Sequence, residues 1–261
     1  MASFEIDGVA VVTGGASGIG AACCRVLAAR GARVVVLDRA EEPARAVANE
    51  VKGVAWVGDV GDEVAIEAAA AAIEAAAGPV EVLVNSAGVI QVPLPPEELA
   101  MSAWDDVVRI DQRGTYVASI AFGRRMALRG RGAIVNIASI AGMRSMPLHS
   151  YAPAKAAVIA MTKCLAAEWG RSGVRVNAVS PGYTRTPALQ AAIDKGERDV
   201  TNLEQNAALG RMVEPDDIAR AVAFLASREA AAITGVNLPV DCGWLVAPSW
   251  HTYGGVRPSR S

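Results

Sequence analysis

Tyr151 and Lys155 stand four residues apart in Tyr-Ala-Pro-Ala-Lys, so on a helix they share one face. A phenol titrates near pH ~10 in water, too high for a general base at neutral pH. Bringing it to about 7 takes roughly 4 kcal/mol of preferential stabilisation of the phenolate. A neighbouring ammonium in a partly dry cleft supplies energy of that order. Ser139, twelve residues before Tyr151, could donate a hydrogen bond to a carbonyl or alkoxide oxygen. Tyrosine and lysine at this spacing also meet by chance on helix surfaces, so the pair speaks for proton transfer only in company.

The company is a glycine-rich loop, Thr13-Gly14-Gly15-Ala16-Ser17-Gly18-Ile19-Gly20, between a β-branched run and a helix-favouring stretch. Glycines let backbone amides approach a pyrophosphate, and a helix N-terminus adds unpaired N–H groups and a positive dipole end. The spacing is not the common GxGxxG fingerprint, and a tight strand-to-helix turn would need similar residues. Asp38 closes the next β-branched run, about 20 residues on, where an acid accepts hydrogen bonds from adenosine ribose hydroxyls. A carboxylate there repels the 2′-phosphate of NADP. Arg39 could pair with that phosphate only if Asp38 turned away, so NAD is the expected cofactor.

Seven β-branched runs alternate with alanine-rich stretches: Val9–Thr13, Arg33–Asp38, Val54–Gly58, Val80–Asn85, Ala133–Ala138, Val174–Ser180 and Val236–Val240. Most are apolar at consecutive positions, as strands covered on both faces of a parallel sheet require. The stretches Gly18–Arg30, Asp62–Ala77, Ala103–Arg129 and Ser150–Gly170 are long enough for helical crossovers. This alternation predicts an α/β fold with a doubly wound, seven-stranded parallel sheet and helices on both faces. Small polar residues follow nearly every run, at the rim where such sheets bind ligands.

Composition sets the bounds. Of 261 residues, 52% are apolar, 20% charged and 5% aromatic, and 25 basic against 27 acidic residues give a net charge of −2. These values argue against disorder, a basic nucleic-acid footprint and a polybasic membrane patch. No apolar run approaches the ~20 residues of a spanning helix, and MASFEIDG shows no secretory signal. Four cysteines without CxxC spacing and only two histidines point to reduced, buried thiols and no metal site. The expectation is one cytoplasmic domain over 1–261.

Together these motifs resemble the classical short-chain dehydrogenases/reductases over about residues 5–244. The matching positions are Thr13-Gly14-x-x-x-Gly18-Ile19-Gly20, Asp59-Val60, Asn85-Ser86-Ala87-Gly88, Ser139, Tyr151-x-x-x-Lys155 and Pro181-Gly182 with Thr186. The resemblance implies a single Rossmann domain, hydride transfer at nicotinamide, and a homotetramer. It also implies that Tyr151 is the acid/base, that Lys155 lowers its pKa and binds the nicotinamide ribose, and that Ser139 orients substrate. By the same carry-over Gly14, Ser17, Gly18, Ile19 and Gly20 hold the pyrophosphate, and Asp59 and Val60 flank adenine. Asn85, Ser86, Ala87 and Gly88 line the adenosine side, Thr184 and Thr186 approach the carboxamide, and Pro181 and Gly182 also belong to the cofactor site.

Two positions depart from the family pattern. Ser86 replaces an asparagine, a mild change. Asp111, seven residues after Trp104, stands where the family has an asparagine that holds a water linking the active-site lysine to solvent. An aspartate can hold that water too, but its charge opposes acidification of Tyr151 and shifts the pH optimum. Alternatively, it pairs with Arg113 or another cation and leaves the chemistry unchanged.

Substrate is expected from the loops Val89–Pro96 and Ala141–Ser150 and from a lid over 183–210. Gln91, Arg144 and His149 are the candidates, and the mixed lining suits a polyol, sugar or hydroxy acid. A loop arginine facing solvent and a helix-capping histidine are the plainer readings of Arg144 and His149. Arg124, Arg125, Arg129 and Arg131 could meet an acidic carrier protein, although cations near a helix C-terminus also suit the macrodipole. The aromatic tail, 244–261, is expected to dock on the body or on a neighbouring subunit. Two alternatives stand beside the dehydrogenase: a 3-oxoacyl-carrier-protein reductase and a non-catalytic dinucleotide sensor.

Overall fold

Val9–Thr13 (β1) is buried along its whole length, as a strand covered on both faces must be. A computed structural model of the protein describes residues 5–196 and 200–257. Around β1 lie Arg33–Asp38 (β2), Val54–Val57 (β3), Val80–Asn85 (β4), Gly132–Ile137 (β5), Val174–Pro181 (β6) and Asn237–Val240 (β7). All pairings are parallel, in the order β3-β2-β1-β4-β5-β6-β7. The expected runs are all present, with ends moved by a residue: β3 stops before Gly58, β5 starts at Gly132, β6 takes in Pro181 and β7 begins at Asn237. The order reverses between β1 and β4, and there the crevice for a ligand opens beyond the strands' carboxyl ends.

Alternate residues of each strand face opposite layers. Val12, Val34, Val36 and Val84 pack with Leu27 of α1 (Gly18–Ala29), Val47 of α2 (Glu41–Glu50) and Ile218 of α9 (Pro215–Ala226). Val11, Val35, Leu37 and Leu83 pack with Ile66 of α3 (Glu63–Ala77), Phe122 of α5 (Thr115–Arg129) and Leu165 of α6 (Tyr151–Trp169). Fully buried side chains such as Phe122 and Ile66 each contribute roughly 1.5–3 kcal/mol by leaving water. Cys23, Cys24 and Cys242 behave as buried small hydrophobes, but Cys164 is exposed on α6, contrary to expectation.

The stretch read as one helix over 103–129 is three segments. α4 (Met101–Val107) passes into a π-helical segment, Val108–Gly114, before α5 begins. The hydroxyls of Thr115 and Ser119 each donate, at 2.7 Å, to the carbonyl four residues earlier, a contact that bends helices. Wide turns of this kind cluster at functional sites. The segment 183–210 carries α7 (Pro187–Asp194) and α8 (Thr201–Gln205), while its residues 197–199 and residues 258–261 of the tail lie outside those described. No described helix is long and apolar enough to cross a membrane.

Candidate active site

A groove of about 490 Å³ runs along the carboxyl rim of the sheet from the glycine loop to Tyr151 and Lys155. Gly14 has φ +64, and a Cβ there would lie 2.6 Å from the Ala87 Cα, so the loop closes on the end of β4 only as glycine. The Thr13 hydroxyl braces the same junction by accepting from the Ser86 and Ala87 amides at 3.1 and 3.2 Å. Asp38 accepts from the Ala16 amide of the glycine loop at 3.1 Å and from the Ala40 amide at 3.0 Å. Asp59 accepts from the Gly61 amide at 2.8 Å and meets the Arg109 guanidinium at 3.2 Å. The Gly61 bond foremost, then Arg109, hold its carboxyl below the usual range against partial burial.

At the far end Lys155 is 4% exposed and Asp111 is fully buried. The Lys155 Nζ lies 3.1 Å from Asp111 Oδ2, donates to the Ile137 carbonyl at 3.0 Å and sits 5.5 Å from the centre of the Tyr151 ring. The other oxygen, Oδ1, accepts from the Val89 amide at 2.8 Å. Burial pushes the Lys155 ammonium down, but the negative charge of Asp111, and of Tyr151 when ionised, outweighs it and holds it above the usual lysine value. Arg113 pairs instead with Glu63. The cation that answers Asp111 is therefore the lysine beside the phenol. Ser139, buried at the end of β5, accepts from the Ala141 amide at 3.1 Å, and the short turn after it packs on α6.

Residues 14–245 match the family described as Enoyl-(Acyl carrier protein) reductase. The chain belongs to the short-chain dehydrogenase/reductase family. It is 42% identical over 250 residues to D-threitol dehydrogenase of Mycolicibacterium smegmatis, across 93% of this chain and 95% of that one. It is 43% identical over 255 residues to galactitol 2-dehydrogenase (L-tagatose-forming) of Cereibacter sphaeroides, across 93% and 97%. Among solved structures, a Brucella melitensis 16M protein described as ribose-5-phosphate isomerase superimposes with TM-score 0.95 at 55% identity, across 98% of this chain and 100% of that one. A gluconate 5-dehydrogenase from Burkholderia cenocepacia J2315, in complex with NADP and tartrate, gives 0.88 at 33% identity, across 94% and 98%. Dehydrogenases of the short-chain family act on CH–OH groups with a nicotinamide dinucleotide.

Of the short-chain motif residues, Gly14, Ser17, Gly18, Ile19, Gly20, Asp38, Asp59, Val60, Ala87, Gly88, Asp111, Tyr151, Lys155 and Thr186 line the groove. Asn85 turns inward, donating to Ser119 Oγ at 2.9 Å and Asn136 Oδ1 at 2.8 Å beneath the rim. The Thr184 hydroxyl donates to the Gly182 carbonyl at 2.9 Å, which stiffens the chain leaving Pro181. Gln91 is buried, its Oε1 accepting from the Ser150 amide at 2.8 Å and hydroxyl at 3.0 Å. Arg144 is spent on the tail, donating to the Leu245 carbonyl at 3.2 Å and lying over the Trp244 ring. His149 borders a separate hollow with Arg144 on the outer side of the 141–149 loop. Leu37, Ile90, Ile110 and Ile137 also line the groove and were missed, because apolar residues at strand and loop ends read as core. Arg109 was missed too; only its place two residues before Asp111 distinguishes it from other surface arginines.

Proposed function

We propose that the protein is an NAD-dependent dehydrogenase interconverting a small polar secondary alcohol (polyol, sugar or hydroxy acid) and its ketone. The observation that carries this is the single groove in which the glycine loop at one end meets Tyr151 and buried Lys155 at the other. The residues fit the dinucleotide: Gly14 leaves no room for a side chain, and acids hold the second and third strand ends. When bound, that cofactor would supply the hydride acceptor for the carbinol carbon. Tyr151 takes the hydroxyl proton as the C–H bond breaks and returns it in the reverse direction. Lys155 stays charged beside the phenolate, and Ser139 directs a hydrogen bond to the substrate oxygen. Gln91 offers substrate its Nε2, a buried donor with no partner among the described residues.

NAD is favoured over NADP because Asp38 is held by two backbone amides, and turning aside for a 2′-phosphate would break both. Titrating each cofactor, then following its reduction with galactitol, threitol, other polyols and hydroxy acids, tests both parts of the proposal. Tighter NADP binding would remove the first, and silence across the panel the second. The Brucella likeness favours a second reading, aldose–ketose isomerisation, so ribose 5-phosphate without cofactor belongs in the same panel. An acyl-thioester arm tests the carrier-protein reductase. Its docking patch has little support, since Arg124 and Arg125 pair with Glu67, Arg129 with Glu74 and Arg131 with Glu81. A homotetramer is also proposed, with Val64 of α3 and Leu128 of α5, 79% and 88% exposed, as apolar surface available to it; sedimentation would measure the mass.

A further inference from the structure

We propose that Asp111 is a positioning residue that cancels the Lys155 charge and so weights the groove toward the oxidised, positively charged form of the cofactor. The inference rests on the dinucleotide reading above and concerns which redox state the site prefers.

Two groups face Asp111 from different elements: the Val89 amide donates to Oδ1 at 2.8 Å, and the Lys155 ammonium stands 3.1 Å from Oδ2 as an ion pair, too poorly aligned for a hydrogen bond. An asparagine has one acceptor oxygen and would turn its NH2 toward one of those groups. The geometry therefore calls for a carboxylate. Gly88 lies over the pair: a Cβ there would stand 3.0 Å from Asp111 Oδ2 and 3.5 Å from the Lys155 Nζ. With backbone this close and both side chains buried, little water screens the interaction.

Other charges nearby are answered elsewhere. On the π-helical segment Arg109 pairs with Asp59 and Asp106, and Arg113 with Glu63. On α4, Asp106 is half of one of those pairs; on α5, Arg124, Arg125 and Arg129 bind Glu67 and Glu74. From α6 the facing groups are Lys155 and Tyr151. The buried unit therefore has no net charge while Tyr151 is protonated. An uncompensated lysine in that place would repel an oxidised nicotinamide, which is cationic, and leave the neutral reduced ring untouched. Asp111 removes that bias. The same cancellation weakens the hold of Lys155 on a Tyr151 phenolate, so activity rises at higher pH than it would with an asparagine.

The test is equilibrium titration of oxidised and reduced cofactor (NAD+ and NADH, or the NADP pair if that binds) against wild type, Asp111→Asn and Asp111→Ser. We expect the ratio of Kd for the reduced form to Kd for the oxidised form to fall on the order of tenfold in both variants. The half-rise of kcat/KM for alcohol oxidation should move down by about one pH unit. A structural role alone would weaken both forms together and leave the pH profile in place. Ratios within about twofold of wild type in a folded variant overturn the proposal. Serine keeps an acceptor for the Val89 amide, so it serves if the asparagine variant does not fold. The wild type gives a further reading: reduced cofactor bound more than about a hundredfold tighter than oxidised is incompatible with a cancelled lysine. Failure of wild type to bind either form would instead remove the dinucleotide reading, a result distinct from an unchanged ratio.

Discussion

At the adenosine end of the groove, Asp38 and Asp59 meet backbone amides and a half-exposed arginine, whereas at the chemical end Asp111 and Lys155 face each other almost without solvent. Both ends place a carboxylate beside a donor, but their physics differ. Side chains of Asp59 and Arg109 are 38% and 41% exposed, so water and salt screen their attraction and the pair acts mainly through geometry. Those of Asp111 and Lys155 are 0% and 5% exposed, and each charge there is tolerable only because of the other. One end recognises shape; the other regulates charge.

The largest effect should come from the chemical end. Tyr151→Phe is expected to lower kcat/KM by about 10³-fold or more while cofactor affinity stays within about twofold. Retained turnover would unseat the tyrosine as the proton carrier. Asp111→Ala strands a buried ammonium and should cost about 3 kcal/mol of stability, read from the denaturation midpoint at constant m. The sign with pH is set by Lys155, whose folded pKa lies above its unfolded value. Its contribution is whole below about pH 10 and is lost as pH rises through the folded value. The gap between wild type and Asp111→Ala should therefore persist through neutrality and narrow in strong alkali; a gap that closes near neutrality would mean that the pair is not what the variant breaks.

At the adenosine end the effects shrink. Asp38→Asn should cut discrimination against NADP by about tenfold, measured as the ratio of kcat/KM values, with little change in unfolding temperature. Arg109→Ala is expected to raise KM for the cofactor by about twofold and leave kcat unchanged. Because the Asp59 carboxyl is depressed in the folded protein, its contribution is present above about pH 4 and fades as pH falls through the folded value. The Arg109→Ala difference should accordingly vanish in acid. A large loss of kcat would show that the two ends are not as separate as their exposure implies.

Much of this was legible in the residues. β1, β2 and β4 are apolar at nearly every position because both faces are covered, and that pattern survives in the sequence. Tyr151, Lys155 and the glycine loop were legible because their spacing is local. α2 and α9 escaped: Glu41–Glu50 reads as a charged surface, and Pro215–Ala226 lies far along the chain from α1, the helix it packs against. The π-helical turn keeps helical periodicity in its residues, so nothing local betrays it. The sequence pointed to Asp111 acting on Lys155, but contact at 3.1 Å depends on how the chain between them, 44 positions from one to the other, folds back. The partners of Arg144 and of the tail were illegible for the same reason: Trp244 docks on the body, edge-on against Tyr183 at 5.2 Å and under the Arg144 guanidinium, while Tyr253 stays exposed.

The wide turn at Val108–Gly114 presents Arg109 to one end of the groove and Asp111 to the other. Removing one residue from it would restore ordinary 3.6-residue winding with the flanking helices close to their present register, yet would re-aim the side chains within the turn, Asp111 among them. The helix would gain regularity and the enzyme would be left with a lysine stripped of its counterion, so local perfection of the backbone and fitness of the site pull in opposite directions here.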